Sequence, residues 1–332
     1  ECVQKSAILR GYLEHFNEVS KNNEIPGLLS FFFIQGQCAL PFMRIPQGGS
    51  CLDPRVNMFW VQDTRTGKSV AFEIIQRLMT DAGLQCIDYS AGTDAALVGS
   101  WVKDDRDSPA RIREGVLSGR KGMNFDEGSI LLKPNQHSEN TVLFLQSALN
   151  SAGTGRNKLT KHLADGTIEI ESQVSLWITT YPPEGIKDYV LDKGIFQRVL
   201  LYWRNWTMEM KKEVAYMLAD SIHNITTFTM GFEEVAQHFI DLNKRLKCRV
   251  CELNNITVTE WDAATPIPND AGIRGISQFQ EDWTKNAMSK MFTISPDYVP
   301  ALKLAIDDYY SLVQDMDSRK QGVCISFIMG LQ

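Results

Sequence analysis

The sequence predicts an α/β fold: a sheet flanked by helices, with a helical segment before it and a helical lid after it. Three observations predict it. Short apolar, strand-like runs alternate with helix-like stretches between about residues 56 and 205. On either side of that region the apolar residues recur at helical spacing instead. A Gly67-Lys68-Ser69 tripeptide falls between one strand-like run and the amphipathic stretch after it. With 332 residues, 43% of them hydrophobic, the chain is long enough for one large domain or two smaller ones.

The elements follow in order. Ala7–Val19 has the apolar period of a helix, and Pro26 is placed to open a second helix rich in Leu and Phe. The turn-rich link Pro46-Gln47-Gly48-Gly49-Ser50 leads to a strand at 56–61, and 69–79 reads as the helix that follows it. Further strands are expected near the start of 124–132, at 173–180 and at 198–202. After Trp206 the pattern turns helical at Met208–Ser221, 232–247 and 300–314, with an irregular interruption at 265–275. The expected division is a helical N-terminal segment (1–55), a core (56–205) and a helical lid (206–332). The chain opens on Glu1 and stops at Gln332 just after an apolar run, so the lid is expected to be truncated.

Bulk properties narrow the function. A net charge of -6 means that any nucleic-acid contact must come from a local basic patch, not from the whole surface. Seven scattered cysteines do not resemble a secreted disulfide framework, which points to a reducing cytoplasm. The longest apolar run, 27–34, is too short to cross a bilayer, so no membrane partner is expected.

The chemistry concentrates at Trp60-Val61-Gln62-Asp63-Thr64-Arg65-Thr66-Gly67-Lys68-Ser69. The phosphate-loop pattern is G-x-x-x-x-G-K-[ST], and its first glycine falls on Gln62. In such a loop, backbone N–H groups at the helix start point at phosphate, Lys68 supplies a point charge and the Ser69 hydroxyl ligates Mg²⁺. The expected cradle is Gln62, Asp63, Thr64, Arg65, Thr66, Gly67, Lys68, Ser69 and Val70. Gln62 is expected to restrict the loop's start, where glycine is preferred for a positive φ, without removing a phosphate contact. The acidic half of the site is read at Gly122-Met123-Asn124-Phe125-Asp126-Glu127. Asp126 would hold the magnesium's water shell and Glu127 would orient the attacking water. Asn124 makes that strand less apolar than usual.

These motifs resemble those of the minichromosome maintenance (MCM) helicases. The loop aligns with that family's G-D-P-G-T-A-K-S, agreeing at Asp63, Thr66, Lys68 and Ser69. The stretch from Asp88 to Ser100, DYSAGTDAALVGS, resembles Y-T-S-G-x-G-S-S-A-V-G-L-T. Arg113-Glu114-Gly115-Val116-Leu117 followed by GMNFDEGSIL resembles E-A-G-A-L followed by G-V-C-x-I-D-E-F-D. The likeness covers roughly 55–205, and the drift of the motifs suggests a viral, phage or mobile-element relative. It implies an AAA+ P-loop NTPase core with a parallel sheet, binding ATP and Mg²⁺ between the subunits of a homo-oligomeric ring, usually a hexamer. It also implies DNA helicase activity in replication. The family's sensor asparagine falls on Tyr181, with Thr180 as the alternative; tyrosine cannot reproduce an amide's paired donor and acceptor. Its trans-acting arginine falls on Arg198. Its channel hairpin, which touches DNA, falls on GTGRNKLTKHLADGTIEIE, where Asp165-Gly166 is a strong turn and Arg156, Lys158, Lys161 and His162 are the basic residues.

Two other functions fit the same motifs: an AAA+ ATPase acting on a protein client, such as a helicase loader or remodeller, and an assembly module that binds ATP with little turnover. Other signals are weaker. Cys248 and Cys251 form a lone CxxC with no second pair for zinc. Gly153-Thr154-Gly155 reads as a turn, and the tryptophans read as core or subunit contacts. Arg274 and Arg319 are candidates for a further nucleotide-sensing arginine in the lid.

Overall fold

The computed structural model describes residues 6–43, 45–47, 50–89, 93–102, 111–126, 128–132, 139–151, 158–163, 166–182, 195–221, 232–255, 257–259, 296–301, 303, 304 and 307. Two helices lead, α1 (Ala7–Val19) and α2 (Glu24–Ala39), followed by a small antiparallel pair, β1 (Ile45–Gln47) and β2 (Ser50–Leu52). Then come β3 (Met58–Val61), α3 (Lys68–Asp81), β4 (Cys86–Tyr89), α4 (Asp94–Leu97), β5 (Gly99–Val102), β6 (Arg111–Glu114) and β7 (Gly119–Phe125). The remainder is α5 (Ser129–Leu132), α6 (Glu139–Ala148), β8 (Lys158–Leu163), β9 (Gly166–Thr180), β10 (Leu200–Trp203), α7 (Met208–Ser221) and α8 (Glu233–Asn254).

Five of these strands form one sheet in the order β10-β3-β9-β7-β4, and every neighbouring pair along it is parallel. Parallel strands must be buried on both faces, and β3 reads accordingly as Met-Phe-Trp-Val, all four residues buried. Alternation sends Met58 and Trp60 to one face, where they join Trp177, Phe33 and residues of α1, α2, α3 and α8. Phe59 and Val61 point the other way, into a second cluster with Leu176, Ile178, Met123 and residues of α6 such as Val142 and Leu145. The result is three layers, helices on both sides of a sheet. The N-terminal helices belong to the first layer: Tyr12, Phe16 and Phe31 pack with Phe232 and Phe239, next to and within α8.

Helices α1 and α7 have the limits expected from their apolar period. Helix α2 starts at Glu24, two residues before Pro26, so the proline lies in the first turn, where its missing N–H leaves no bond unmade. The strand expected near the start of 124–132 ends there: β7 spans Gly119–Phe125, and Ser129–Leu132 forms the short helix α5. Asn124 is tolerated in β7 because its amide donates to Asp88 Oδ1 on the neighbouring strand, at 2.7 Å. Strand β9 runs from residue 166, well before the expected 173, since it merges a hairpin arm with a central strand. The stretch 265–275, Arg274, Arg319, Trp261 and most of 300–314 lie outside the described residues. Among the described residues, no helix is long and apolar enough to cross a membrane.

One buried ion pair ties the sheet to the second helical layer. The Arg55 guanidinium bonds Asp53 at 2.8 Å and donates to the carbonyls of Val174, Ala148 and Asn150. Both side chains are nearly inaccessible, at 1% and 5%. Replacing Arg55 by methionine removes the cation and leaves the Asp53 carboxylate and three carbonyls without it, so unfolding free energy should drop by about 3–5 kcal/mol, read by urea denaturation.

Candidate nucleotide site

The loop between β3 and α3 sits at the carboxyl end of the sheet. Its first residue continues the strand, as Gln62 N–H donates to Thr180 O at 3.1 Å. The chain then turns: the Thr66 hydroxyl donates to Asp63 O at 2.8 Å, and Gly67 (φ 87) caps α3 in a left-handed conformation open to glycine. Thr64, Arg65 and Ser69 are exposed, while Val70 is partly buried against the first core layer. The expectation of a positive φ at Gln62 is not met. Positive φ occurs at Arg65 (58°) and Gly67, and Gln62 is a fully buried strand extension whose side chain is used for contacts. The conformational cost therefore lies at Arg65, where the resembled pattern has glycine. Replacing Arg65 by glycine should raise stability by about 0.5–1 kcal/mol, the left-handed penalty less glycine's extra entropy, as measured by chemical denaturation.

Lys68 opens α3. Its ammonium donates to Gln62 O and Asp63 O, both at 2.6 Å, and lies 4.8 Å from the centre of the Tyr181 ring. Burial pushes its pKa down from 10.5 to about 8, against the pull of Asp126 and Asp63. The folded-state value is depressed, so burial of the charged amine costs stability below about pH 8, and that cost is relieved as pH rises toward 10.5. Anion binding runs the other way. Phosphate affinity should be flat below pH 8 and weaken as pH rises through it, up to about tenfold per unit, as measured by nucleotide titration.

Two further strands bring their carboxyl ends here. Asp126, exposed, directly follows β7 and accepts a hydrogen bond from the Thr179 hydroxyl at 2.8 Å. Gly128 N–H also donates to the same strand, at Thr179 O, at 2.8 Å. Glu127 lies outside the described residues. Of the two sensor candidates, Thr180 is buried with its hydroxyl unpartnered among the described residues, whereas Tyr181 is half exposed and beside Lys68. Because β9 lies between β3 and β7, the loop and Asp126 are separated by two strand spacings, about 9–10 Å. That gap suits a polyphosphate with its cation. Among the described residues, no three His, Cys, Asp or Glu side chains converge into a metal site. Ser69 and Asp126 would thus hold Mg²⁺ only together with phosphate oxygens and water, the usual arrangement for this ion.

No protein-family model matches the chain, and no curated protein matches it significantly.

Arg198 lies at the other end of the sheet. Leu200 pairs with Met58 and Trp203 with Val61, so the start of β10, two residues after Arg198, is roughly 10 Å from the loop along the strand axis. Its guanidinium donates to Asn150 Oδ1 at 2.9 Å. The candidate hairpin exists as β8 and the first half of β9, antiparallel, with Gly166 at its turn. Its exposed face carries Lys158, Thr160 and His162 from β8, opposite Glu171, Glu169 and Thr167 from β9. Lys161 projects from the other face, opposite buried Ile168. The three basic residues therefore do not share a face, and carboxylates stand across from Lys158. Arg156 and Asp165 lie outside the described residues.

Three features escaped the sequence reading. The turn between α1 and α2 touches the loop through Ser20 and Asn23. Lys211 of α7 pairs with Asp63 at 2.6 Å. A second hairpin, β5–β6, lays Trp101 over Gly166 and exposes Arg111 and Arg113. Each depends on contacts between distant parts of the chain, and no local pattern announces them. Cys248 is exposed and Cys251 buried, and neither is in a disulfide.

Proposed function

We propose that this chain is an AAA+ ATPase of the MCM-like kind, working as a homo-oligomeric ring that moves along DNA. The observation that carries the reading is the common edge formed by the Lys68 loop, Tyr181 and Asp126 at the carboxyl ends of three adjacent parallel strands, the place where open α/β sheets bind ligands. ATP would be held by the N–H groups of 64–69 and by Lys68, with Mg²⁺ at Ser69 and Asp126. Cleavage of the terminal phosphoanhydride is the chemistry ATP supplies there. Asp126, kept in place by Thr179, orients the cation; Glu127 activates water; Tyr181 shields and senses the Lys68 end of the site. Arg198 cannot reach its own loop, so its role is in a neighbouring subunit. Leu201 and Trp203, each nearly half exposed on edge strand β10, favour association of copies through this side.

The protein-client alternative is favoured by one observation, the carboxylates Glu169 and Glu171 on the exposed face of the hairpin. A single experiment separates the readings: phosphate release by the purified chain, with and without single-stranded DNA. Several-fold stimulation by DNA supports the motor. Turnover indifferent to DNA favours a protein client, and ATP binding without turnover favours an assembly module.

A further inference from the structure

The loop is braced from behind by a directed chain of buried hydrogen bonds. Trp60 Nε1, a donor only, bonds Gln62 Oε1. This fixes the glutamine amide, so that Gln62 Nε2 donates to Asn23 Oδ1 at 3.2 Å. Asn23 Nδ2 then donates to Thr66 O at 2.6 Å and to Ser20 Oγ at 3.0 Å, and Ser20 Oγ donates to Gly67 O at 3.4 Å. Trp60, Gln62 and Asn23 are fully buried and Thr66 is 1% exposed. Asn23 occupies the N-cap position of α2, yet its side chain does not cap that helix; it is turned to the loop instead.

We infer that Asn23 is a positioning residue for the phosphate-binding amides, and that Gln62 stands at the glycine position of the motif because it orients Asn23. A trans peptide is planar, with C=O and the following N–H pointing in opposite directions. Holding the Thr66 carbonyl toward Asn23 aims the Gly67 N–H away from the protein, toward the loop's mouth. The Gly67 carbonyl, drawn back by Ser20 and by Ala71 N–H, does the same for the Lys68 N–H. In a buried network each member depends on the next, so loss of the glutamine leaves Asn23 free to flip its amide and release Thr66. The space behind the loop is closed as well: a Cβ on Gly67 would lie 2.7 Å from Ser20 Oγ and 3.1 Å from Asn23 Nδ2.

The inference deepens the nucleotide reading and rests on it. Its consequence runs against the motif: Gln62→Gly, which restores the sequence pattern, should weaken ATP binding. The test is a titration of the whole chain with fluorescent ATP for wild type, Gln62→Gly, Asn23→Asp and the double variant, with a thermal melt of each and steady-state turnover. Asn23→Asp keeps an acceptor for Gln62 but cannot donate to Thr66 O. Each single variant should bind about tenfold more weakly, with the double no worse than the poorer single, as for residues acting in series. Uniform loss of ground-state and transition-state binding should raise KM and leave kcat unchanged. A merely structural role would lower the melting temperature without moving the affinity of the folded fraction. If Asn23→Asp does not fold, Gln62→Gly decides. Wild-type binding with both singles within twofold of it overturns the inference and leaves the nucleotide site standing. No ATP binding by wild type overturns both.

Discussion

Replacing Lys68 by alanine is expected to lower ATP turnover by roughly 10²–10³-fold while leaving the fold in place. The ammonium is the cation at the loop's mouth, held by two main-chain carbonyls and drawn toward Asp126 and Asp63. Truncating the side chain leaves space in which water can replace the donor lost to Gln62 O and Asp63 O. The variant should therefore melt within a few degrees of wild type while phosphate release falls to background. Arginine at the same position should not rescue it, because a planar fork cannot take the place of a compact ammonium between Gln62 O and Asp63 O. Turnover within about threefold of wild type would remove this loop from the chemistry.

Arg198→Ala should cost on the order of 10³ in turnover with nucleotide affinity per protomer unchanged. The two effects separate because the residue lies a strand's length from its own loop. Losing the bond to Asn150 should cost only about 1 kcal/mol of stability. The decisive measurement mixes this variant with Lys68→Ala. One protomer then brings an intact loop and the other an intact arginine, so some interfaces in a mixed ring are complete. Recovered turnover in the mixture, absent from either variant alone, is the expected result. An Arg198→Ala protein as active as wild type would mean that the arginine serves only to hold the end of α6 through Asn150.

What the sequence shows of this fold is what its local periodicity encodes. Ala7–Val19 and Met208–Ser221 stand at their expected limits because an amphipathic period and its end are local properties. The order of strands is not local. Nothing between residues 125 and 166 indicates that β9 inserts between β3 and β7 instead of joining an edge. The same holds at the site. Gly67, Lys68, Ser69 and Asp126 are legible because the chemistry dictates their types and spacing. Asn23 and Lys211 are not, since each reaches the loop across more than forty residues. Gln62 is the instructive case. As a letter it breaks a motif and suggests a strained loop; in the fold it is an unstrained, buried residue, and the strain belongs to Arg65.

The place of β9 also sets a schedule for biosynthesis. Strands β3, β4 and β7 all leave the ribosome before β9, yet β3 and β7 have no pairing with each other and each must find β9. At about 5–20 residues per second, several seconds pass between completion of β7 and arrival of Thr180. Throughout that interval two apolar strands have vacant edges facing one another across a gap, a template for pairing with other nascent chains. Synthesis halted short of residue 180 would thus yield a sticky intermediate in which β4 and β7 can pair but β3 stands apart from them, and chaperone capture should peak on nascent chains of that length.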